Sequence, residues 1–304
     1  MDRRIKIRHL QALTEIVRQG SLKRAAEKLF LTQPAISRTL SELEDILGAE
    51  LLKRGRGGVS LTPQGAFFHG FAQASLSALQ QGVEGLDAAG REGAMRLRVG
   101  ALPSVAARLM PEVVADLDAL APDLLLGIAD GAHGQLLGLL RAGDLDLLIG
   151  RLGDPASMRG LSFTQLYLED VAVVVRPGHP ILSDPDLRRI GDFQVIYPPA
   201  AAAIRPLVER LLIASGVPVP PRRIETVSGA FGRVYTRQAD AVWFISAGVV
   251  AREVADGRLV RLPIETSLTQ GPVGLMMRAN QDPTTAQRLF VQAVRQTVAR
   301  LGLD

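Results

Sequence analysis

The 304-residue sequence predicts an α/β protein in two parts: a three-helix module with a β-hairpin, and a larger domain of two α/β lobes, joined by one long helix. Three observations predict it. Through roughly the first 90 positions apolar residues recur at helical spacing, and beyond them short apolar runs alternate with helical stretches. Glycine-rich segments at Gly55–Gly58 and Ala89–Gly93 fall where a turn and a boundary are needed. Charge is divided the same way. Residues 1–61 hold twelve Lys or Arg against seven Asp or Glu, a net +5, while the rest hold 23 against 24, a net −1.

The elements follow in order. A first helix at about residues 5–19 turns Ile7, Leu10, Leu13, Ile16 and Val17 toward a core. Ser21 is a suitable N-cap for a short second helix that buries Leu22, Ala25, Ala26 and Leu29. After a three-residue turn, Thr32-Gln33-Pro34 opens a third helix with Ile36, Leu40, Leu43 and Leu47 on one stripe. Pro34 costs nothing in a first turn, where its missing N–H has no intrahelical partner. Gly48 stands where the helix needs a left-handed residue to end. Gln33, Ser37, Arg38 and Ser41 share the opposite face. Two helices joined in this way form a helix-turn-helix, the second sized for the DNA major groove. Leu51-Leu52 and Val59–Leu61 flank Lys53-Arg54-Gly55-Arg56-Gly57-Gly58, two strands around a glycine turn that make a basic wing.

On this module the base-reading candidates are Gln33, Ser37 and Arg38, since Gln can bond adenine and Arg guanine in pairs. Arg38 can equally be a phosphate contact or a solvated arginine. Thr32 is a cap before it is a reader, Pro34 shapes the helix start, and Ser41 extends the free face. Arg24, Arg54 and Arg56 suit phosphate contacts, which position a module without specifying sequence. The DNA-binding module spans residues 1–61 and the linker helix 62–92. In the linker, Thr62 is the N-cap and Pro63 the first helical residue. Phe68, Phe71, Ser75, Ala78, Leu79, Gly82 and Leu86 lie close to a coiled-coil seam, which points to dimerisation, with ordinary core as the alternative.

Residues 93–304 form the larger domain. Strand–helix alternation from Met95 to Ile149 and again from Leu161 onward argues for parallel βαβ units in two lobes, about 93–165 with 269–304, and about 166–268. A chain that crosses twice between lobes leaves a cleft suited to a small ligand. The sequence holds no cysteine, so disulfides and thiolate metal sites are excluded, and no cofactor or metal is expected. No run approaches membrane-spanning length and no signal segment opens the chain, so a cytoplasmic location with no membrane partner is expected. His9, His69, His133 and His179 have no carboxylate or nucleophile at a catalytic spacing, and no HExxH, GxSxG or Walker motif is present. Catalysis is not expected.

Leu10, Ser21, Ala25-Ala26, Leu29, Thr32-Gln33-Pro34-Ala35-Ile36-Ser37, Leu43-Glu44, Leu47-Gly48, Leu51, Arg54, Leu61-Thr62 and Gly65 together resemble the LysR-type transcriptional regulators, over essentially the whole chain. The resemblance implies a winged helix-turn-helix, a linker helix and a two-lobed effector domain similar to type 2 periplasmic solute-binding proteins. It also implies double-stranded promoter DNA and a small-molecule effector as partners, and homodimers that pair into homotetramers. Arg4–Gln11, Gly150–Gly153, Val175–Pro180, Glu225–Ser228, Asp240–Trp243 and Gly271–Leu275 look like regulators of protocatechuate catabolism and of a sugar-binding protein. That likeness implies an anionic aromatic-ring-cleavage product as effector, with a sugar-derived ligand as the alternative. A small-molecule-binding protein of the same two-lobed fold that does not bind DNA is a further alternative.

With the cleft so placed, Ser104 and Val105 open a helix after the first strand of the domain. Ser104 is a candidate for a carboxylate, or simply an N-cap. Gly131, Ala132 and His133 follow the next strand. Pro198, Pro199, Ala201, Arg205, Ser228 and Arg233 are expected to face them from the second lobe. Arg151, Arg205 and Arg233 are the candidate counter-charges for an anion, and each can equally be a surface arginine.

Overall fold

A computed structural model describes residues 4–55, 58–89, 95–279 and 281–303. The chain divides into two compact units, one built on Met1–Gly93 and the other on Ala94–Leu140 and Leu145–Asp304.

The first unit begins with α1 (Ile7–Gln19), α2 (Leu22–Lys28) and α3 (Gln33–Leu47). Each boundary has a local cause. The Ser21 hydroxyl accepts the Arg24 N–H at the start of α2, and the Thr32 hydroxyl accepts the Ala35 N–H at the start of α3. Gly48 ends α3 at φ +63°, where a Cβ is disfavoured. Leu13, Ile16, Ala25, Ile36, Leu40 and Leu43 are fully buried together, and Leu22, Leu29 and Leu47 pack around them. The wing is an antiparallel pair, β1 (Leu52–Gly55) and β2 (Gly58–Leu61), in the register Leu52↔Leu61 to Gly55↔Gly58. α4 (Pro63–Ala89) follows, its Thr62 hydroxyl accepting the Gly65 N–H at 2.8 Å and donating to the Glu50 carbonyl at 2.7 Å.

The face of α4 differs from the expected seam at Phe68 and gains Val83, and the side chain of Leu86 lies outside the described residues. Phe68 joins Ala72 in the core of the first unit. Its neighbour Phe67 is instead 72% exposed and meets the Phe71 ring at 5.1 Å. Phe67, Phe71, Ser75, Leu79 and Val83 recur every four residues and are exposed, a stripe that a straight helix keeps on one side over a few turns.

The second unit holds two five-stranded sheets. The first is ordered β4 (Leu125–Asp130), β3 (Arg96–Ala101), β5 (Leu147–Arg151), β12 (Gly271–Arg278), β6 (Leu161–Glu169). The second is ordered β11 (Val260–Arg261), β7 (Val171–Val175), β10 (Ala241–Ser246), β8 (Gln194–Tyr197), β9 (Arg223–Glu225). α5 (Pro103–Arg108), α6 (Met110–Leu120), α7 (His133–Ala142) and α11 (Thr285–Arg300) belong with the first sheet. α8 (Arg205–Ala214), α9 (Gly229–Gln238) and α10 (Ala251–Ala255) belong with the second.

Three expectations are corrected here. The sheets are mixed: β3, β4 and β5 run parallel, as do β8, β9 and β10, but β6, β7, β11 and β12 pair antiparallel. The chain passes from β6 directly into β7 at Asp170 and returns through β12, so the connecting strands enter their sheets without a crossover helix. The passage also falls four residues later than the expected 166. The helix that Ser104 and Val105 are expected to open is divided in two, because Pro111 supplies no N–H to the helix before it and instead starts a new one. Val171–Val175 and Ala241–Ser246 are buried throughout, which is why they read as continuous apolar runs. Trp243 is fully buried in that core, as its apolar strand suggests.

Candidate functional site

In the first unit the face of α3 opposite the core carries Gln33, Pro34, Arg38 and Ser41, all exposed, with Ser37 half-buried beside them. Their exposure follows from the register of the apolar stripe: with Ile36, Leu40 and Leu43 turned inward, positions 33, 37, 38 and 41 must turn outward. Thr32 is occupied as a cap, as expected. Arg38 lies 3.4 Å from the Glu42 carboxylate and its side chain is 84% exposed. Exposed pairs of this kind contribute little, so the guanidinium exchanges its partner at small cost. Glu42 also accepts from Arg8 at 3.2 Å and faces the buried His9 ring at 3.4 Å, and these partners, His9 first, hold its carboxyl below the ordinary range. Arg24 is exposed on α2, one Nη bonded to the Gln19 carbonyl at 2.5 Å. Arg54 lies on β1, and Arg56 lies outside the described residues.

Two features of this face escaped the sequence reading. Glu44, on α3, accepts the backbone N–H groups of Leu51 at 2.7 Å and Leu52 at 3.2 Å, and so fastens the wing to the recognition helix by charge-assisted bonds. Phe30, in the turn between α2 and α3, is 96% exposed and takes φ +57°, among the described residues the one non-glycine in the left-handed region. That conformation costs about 1 kcal/mol for a residue with a Cβ. An aromatic side chain gains nothing from water there.

In the second unit a cleft with an empty volume of about 670 Å³, partly open to solvent, lies between the two sheets. Its walls come from the carboxyl ends of the parallel strands. Ser104 follows β3, Gly131 to His133 follow β4, and Arg151 ends β5; Pro199 and Ala201 follow β8 from the opposite lobe. Parallel strands that end at one edge leave their connecting loops to enclose a ligand, a geometric consequence of the parallel order within each mixed sheet. The sequence reading missed Leu102, Ile204, Val227, Ile245, Ser246 and Val249, which also line it. All but Ser246 are apolar, and they sit at strand ends and helix starts whose side-chain direction is decided by tertiary register. They carry no signal of their own.

Five expected residues do not line the cleft. Val105 points into the apolar core of the first lobe, fully buried. Pro198 offers its carbonyl to Arg205 at 2.8 Å. Arg205 is held by Glu209 at 2.6 Å and Glu225 at 3.3 Å over the Tyr197 ring. Ser228 caps α9 by accepting the Phe231 N–H. Arg233 is bound to Glu253 at 2.7 Å and to the Val249 carbonyl at 2.5 Å. The side chains of Arg205, Ser228 and Arg233 are each taken by a local partner.

The floor of the cleft is a buried ionic cluster. Arg151 is 6% exposed; its Nη1 donates to the Glu169 carbonyl at 3.0 Å, and its Nη2 lies 3.5 Å from Glu169 Oε2. Glu169 Oε1 accepts the Gly248 N–H of the second lobe at 3.0 Å, and its carboxylate also bonds the Ser104 hydroxyl. Ser104 is therefore not a cap: the residue at the N-cap of α5 is Leu102. Arg151 Nε and Nη2, Glu169 Oε2 and the Tyr167 hydroxyl are buried without hydrogen-bond partners. Burial pushes the Glu169 carboxyl up and the Arg151 guanidinium down from their ordinary values, each shift partly offset by the other's charge. A Cβ at Gly248 would meet Glu169 Oε1 at 2.5 Å, so only glycine lets the second lobe approach this closely. Guanidinium N–H groups without a hydrogen-bond acceptor have the chemistry that pairs with a carboxylate. It offers neither a nucleophile with a base nor a metal set.

Residues 7–66 match the bacterial regulatory helix-turn-helix protein, lysR family, and residues 90–299 the LysR substrate binding domain. The HTH-type transcriptional regulator PcaQ of Agrobacterium fabrum is 46% identical over 304 residues, covering 99% of this chain and 97% of that one. Among solved structures, ArgP from Mycobacterium tuberculosis shares the fold with a TM-score of 0.69 at 18% identity, covering 96% of each chain. Full-length CbnR complexed with its target DNA shares it with a TM-score of 0.61 at 20% identity, covering 96% of this chain and all of that one. No helix among the described residues is long and apolar enough to cross a membrane. With a helix-turn-helix in one unit, a two-lobed cleft in the other and family models matching both, the chain belongs to the LysR-type transcriptional regulators: a DNA-binding regulator with an effector-binding domain, and not an enzyme.

Proposed function

We propose that this regulator senses a small anionic metabolite with an apolar body, of the kind made when an aromatic ring is cleaved, and that the cleft of the second unit is the sensor. The observation that carries the reading is Arg151, buried at the floor of a mainly apolar cleft with no hydrogen-bond partner at Nε and Nη2. A ligand carboxylate meets those N–H groups, the Ser104 hydroxyl and His133 stand beside it, and the Leu102, Ile204 and Ile245 walls cover the carbon skeleton. The resemblance to regulators of protocatechuate catabolism, and the 46% identity to PcaQ, support the same class. Ligand binding draws the lobes together across the cleft. The change reaches DNA only in so far as the ligand prefers one arrangement, since equal affinity for both moves nothing.

A thermal-shift screen tests it. A ring-cleavage acid at ~100 times its dissociation constant adds about 2.7 kcal/mol to stability. Ser104→Leu removes that shift while leaving DNA binding intact; a retained shift refutes the cleft assignment. A response to sugars alone replaces the effector class.

On DNA, Gln33, Ser37, Arg38 and Ser41 read base edges in the major groove, and Arg24, Arg54 and Arg56 hold phosphates. Arg38→Ala is expected to cost ~1–3 kcal/mol of specific binding, read by fluorescence anisotropy, with the oligomeric state unchanged by light scattering. Equal affinity for the selected site sinks the contact. The exposed stripe Phe67, Phe71, Leu79 and Val83 of α4 suits a second copy of the chain, the first step toward a homodimer and homotetramer.

A further inference from the structure

Phe30 is doubly unfavourable where it stands. It exposes 96% of its surface and holds a left-handed backbone at φ +57°. The turn does not depend on its ring: the backbone closes through Phe30 N–H to the Glu27 carbonyl at 3.2 Å and Leu31 N–H to the Ala26 carbonyl at 2.9 Å. Asn or Gly meets the backbone requirement better. What the ring does is project from the turn three residues before Gln33, the first residue of the recognition helix. Leu31 beside it is also 46% exposed. The flanking helix α2 presents Lys23, Arg24 and Lys28, all exposed, so the ring emerges from a basic surface rather than an apolar one. In a docked helix-turn-helix the first helix crosses the phosphate backbone and the N-terminal end of the second enters the major groove. The turn between them then stands at the groove's edge. The major-groove edge of a base pair carries one apolar group, the 5-methyl of thymine, and apolar side chains recognise it by contact.

We infer that Phe30 is a DNA-reading residue that packs on a thymine methyl group at the rim of the major groove. The inference rests on the reading of α2 and α3 as the DNA-binding face. It gives the recognition surface an apolar reader beside the polar ones on α3, and it explains why an exposed, strained position is filled by an aromatic residue. Its consequence is a preference for thymine at one flank of each half-site.

The full-length protein first selects a duplex from a random-sequence pool, and each thymine of that duplex is then replaced in turn by deoxyuridine, which removes the methyl alone. The parent is expected to bind about four-fold more weakly when the contacted methyl is lost, the ratio set by one buried methyl group. Phe30→Asn, which suits the left-handed turn, is expected to bind the unmodified duplex more weakly and to ignore deoxyuridine at that position, with a melting temperature equal to or above the parent's. Phe30→Met keeps the sensitivity, because it keeps an apolar contact. A uniform loss of affinity in Phe30→Asn with no methyl-dependent position points to a sugar or phosphate contact and overturns the inference. Unchanged affinity overturns it as well, and leaves the ring for a protein partner. Failure of the parent itself to enrich any duplex overturns the DNA-binding reading and this inference with it.

Discussion

Gly65→Ala is expected to disable DNA binding by breaking the joint between wing and linker helix. A Cβ at position 65 would lie 1.9 Å from the Leu51 carbonyl oxygen and 2.8 Å from its carbon. The obstacle is backbone, so no rotamer change relieves it. Leu51 is fully buried, and its N–H is taken by Glu44 and its carbonyl by the Thr62 N–H, so it cannot retreat without losing both. Either α4 tilts away or the wing leaves α3. The cost is about 3 kcal/mol or more, the upper end for overpacking, which lowers the melting temperature of a unit this size by more than about 10 °C. Calorimetry of the variant and anisotropy on a selected duplex measure the two consequences. A melting curve and affinity equal to the parent's contradict the close approach. Glu44→Ala is the milder relative: it frees two N–H groups of the wing strand without a clash.

Glu169→Ala is expected to be the most damaging change in the effector domain. It leaves the Arg151 guanidinium buried without its counter-ion, and leaves the Gly248 N–H and Ser104 hydroxyl without their acceptor. Breaking a buried pair from one side costs about 3–5 kcal/mol, chiefly through the stranded charge. Glu169→Gln keeps an acceptor for Gly248 but no charge, and falls between. The pH dependence distinguishes these roles. Burial raises the folded-state pKa of Glu169 above the ordinary 4.5, so the folded chain holds this proton more tightly than the unfolded chain. The residue's contribution is therefore most favourable at and below that ordinary value, and declines as pH rises through the folded value. Glutamine has no such dependence. Denaturant titrations of the parent and Glu169→Gln from acid toward neutral pH are expected to show the difference moving against the parent as pH rises above about 4.5. A difference that moves the other way means the carboxylate is held mainly by its partners rather than opposed by its burial.

These two positions differ in how far the amino-acid order announces them. Gly65 belongs to the residue pattern from Leu10 to Gly65 that identifies the DNA-binding module, although only the Leu51 carbonyl beside it explains why glycine is required. Glu169 belongs to no pattern. It is one acidic residue at the end of a strand, and nothing along the chain links it to Arg151, Gly248 or Ser104, which lie 18, 79 and 65 positions away. The same division separates the right from the wrong choices in the cleft. Ser104, Gly131, Ala132, His133, Pro199 and Ala201 reach it because they directly follow strands, and a strand's carboxyl end is legible from its apolar run. Arg205 and Arg233 are expected to face the cleft as counter-charges, but Glu209, Glu225 and Glu253 claim them first.

What the sequence determined by itself is what local forces decide. Capping by Ser21, Thr32 and Thr62, the left-handed end at Gly48, and the apolar stripes of α1 to α3 act within a turn or two of chain, where spacing is geometry. The outward face of α3 then follows from the inward one. Tertiary structure decided what depends on partners distant in the chain: the antiparallel course of β6, β7, β11 and β12, the exchange of Phe68 for Phe67 on the open face of α4, and the buried cluster of Arg151 and Glu169. A buried charge is costly unless it meets its partner, and only the folded chain brings that partner within reach.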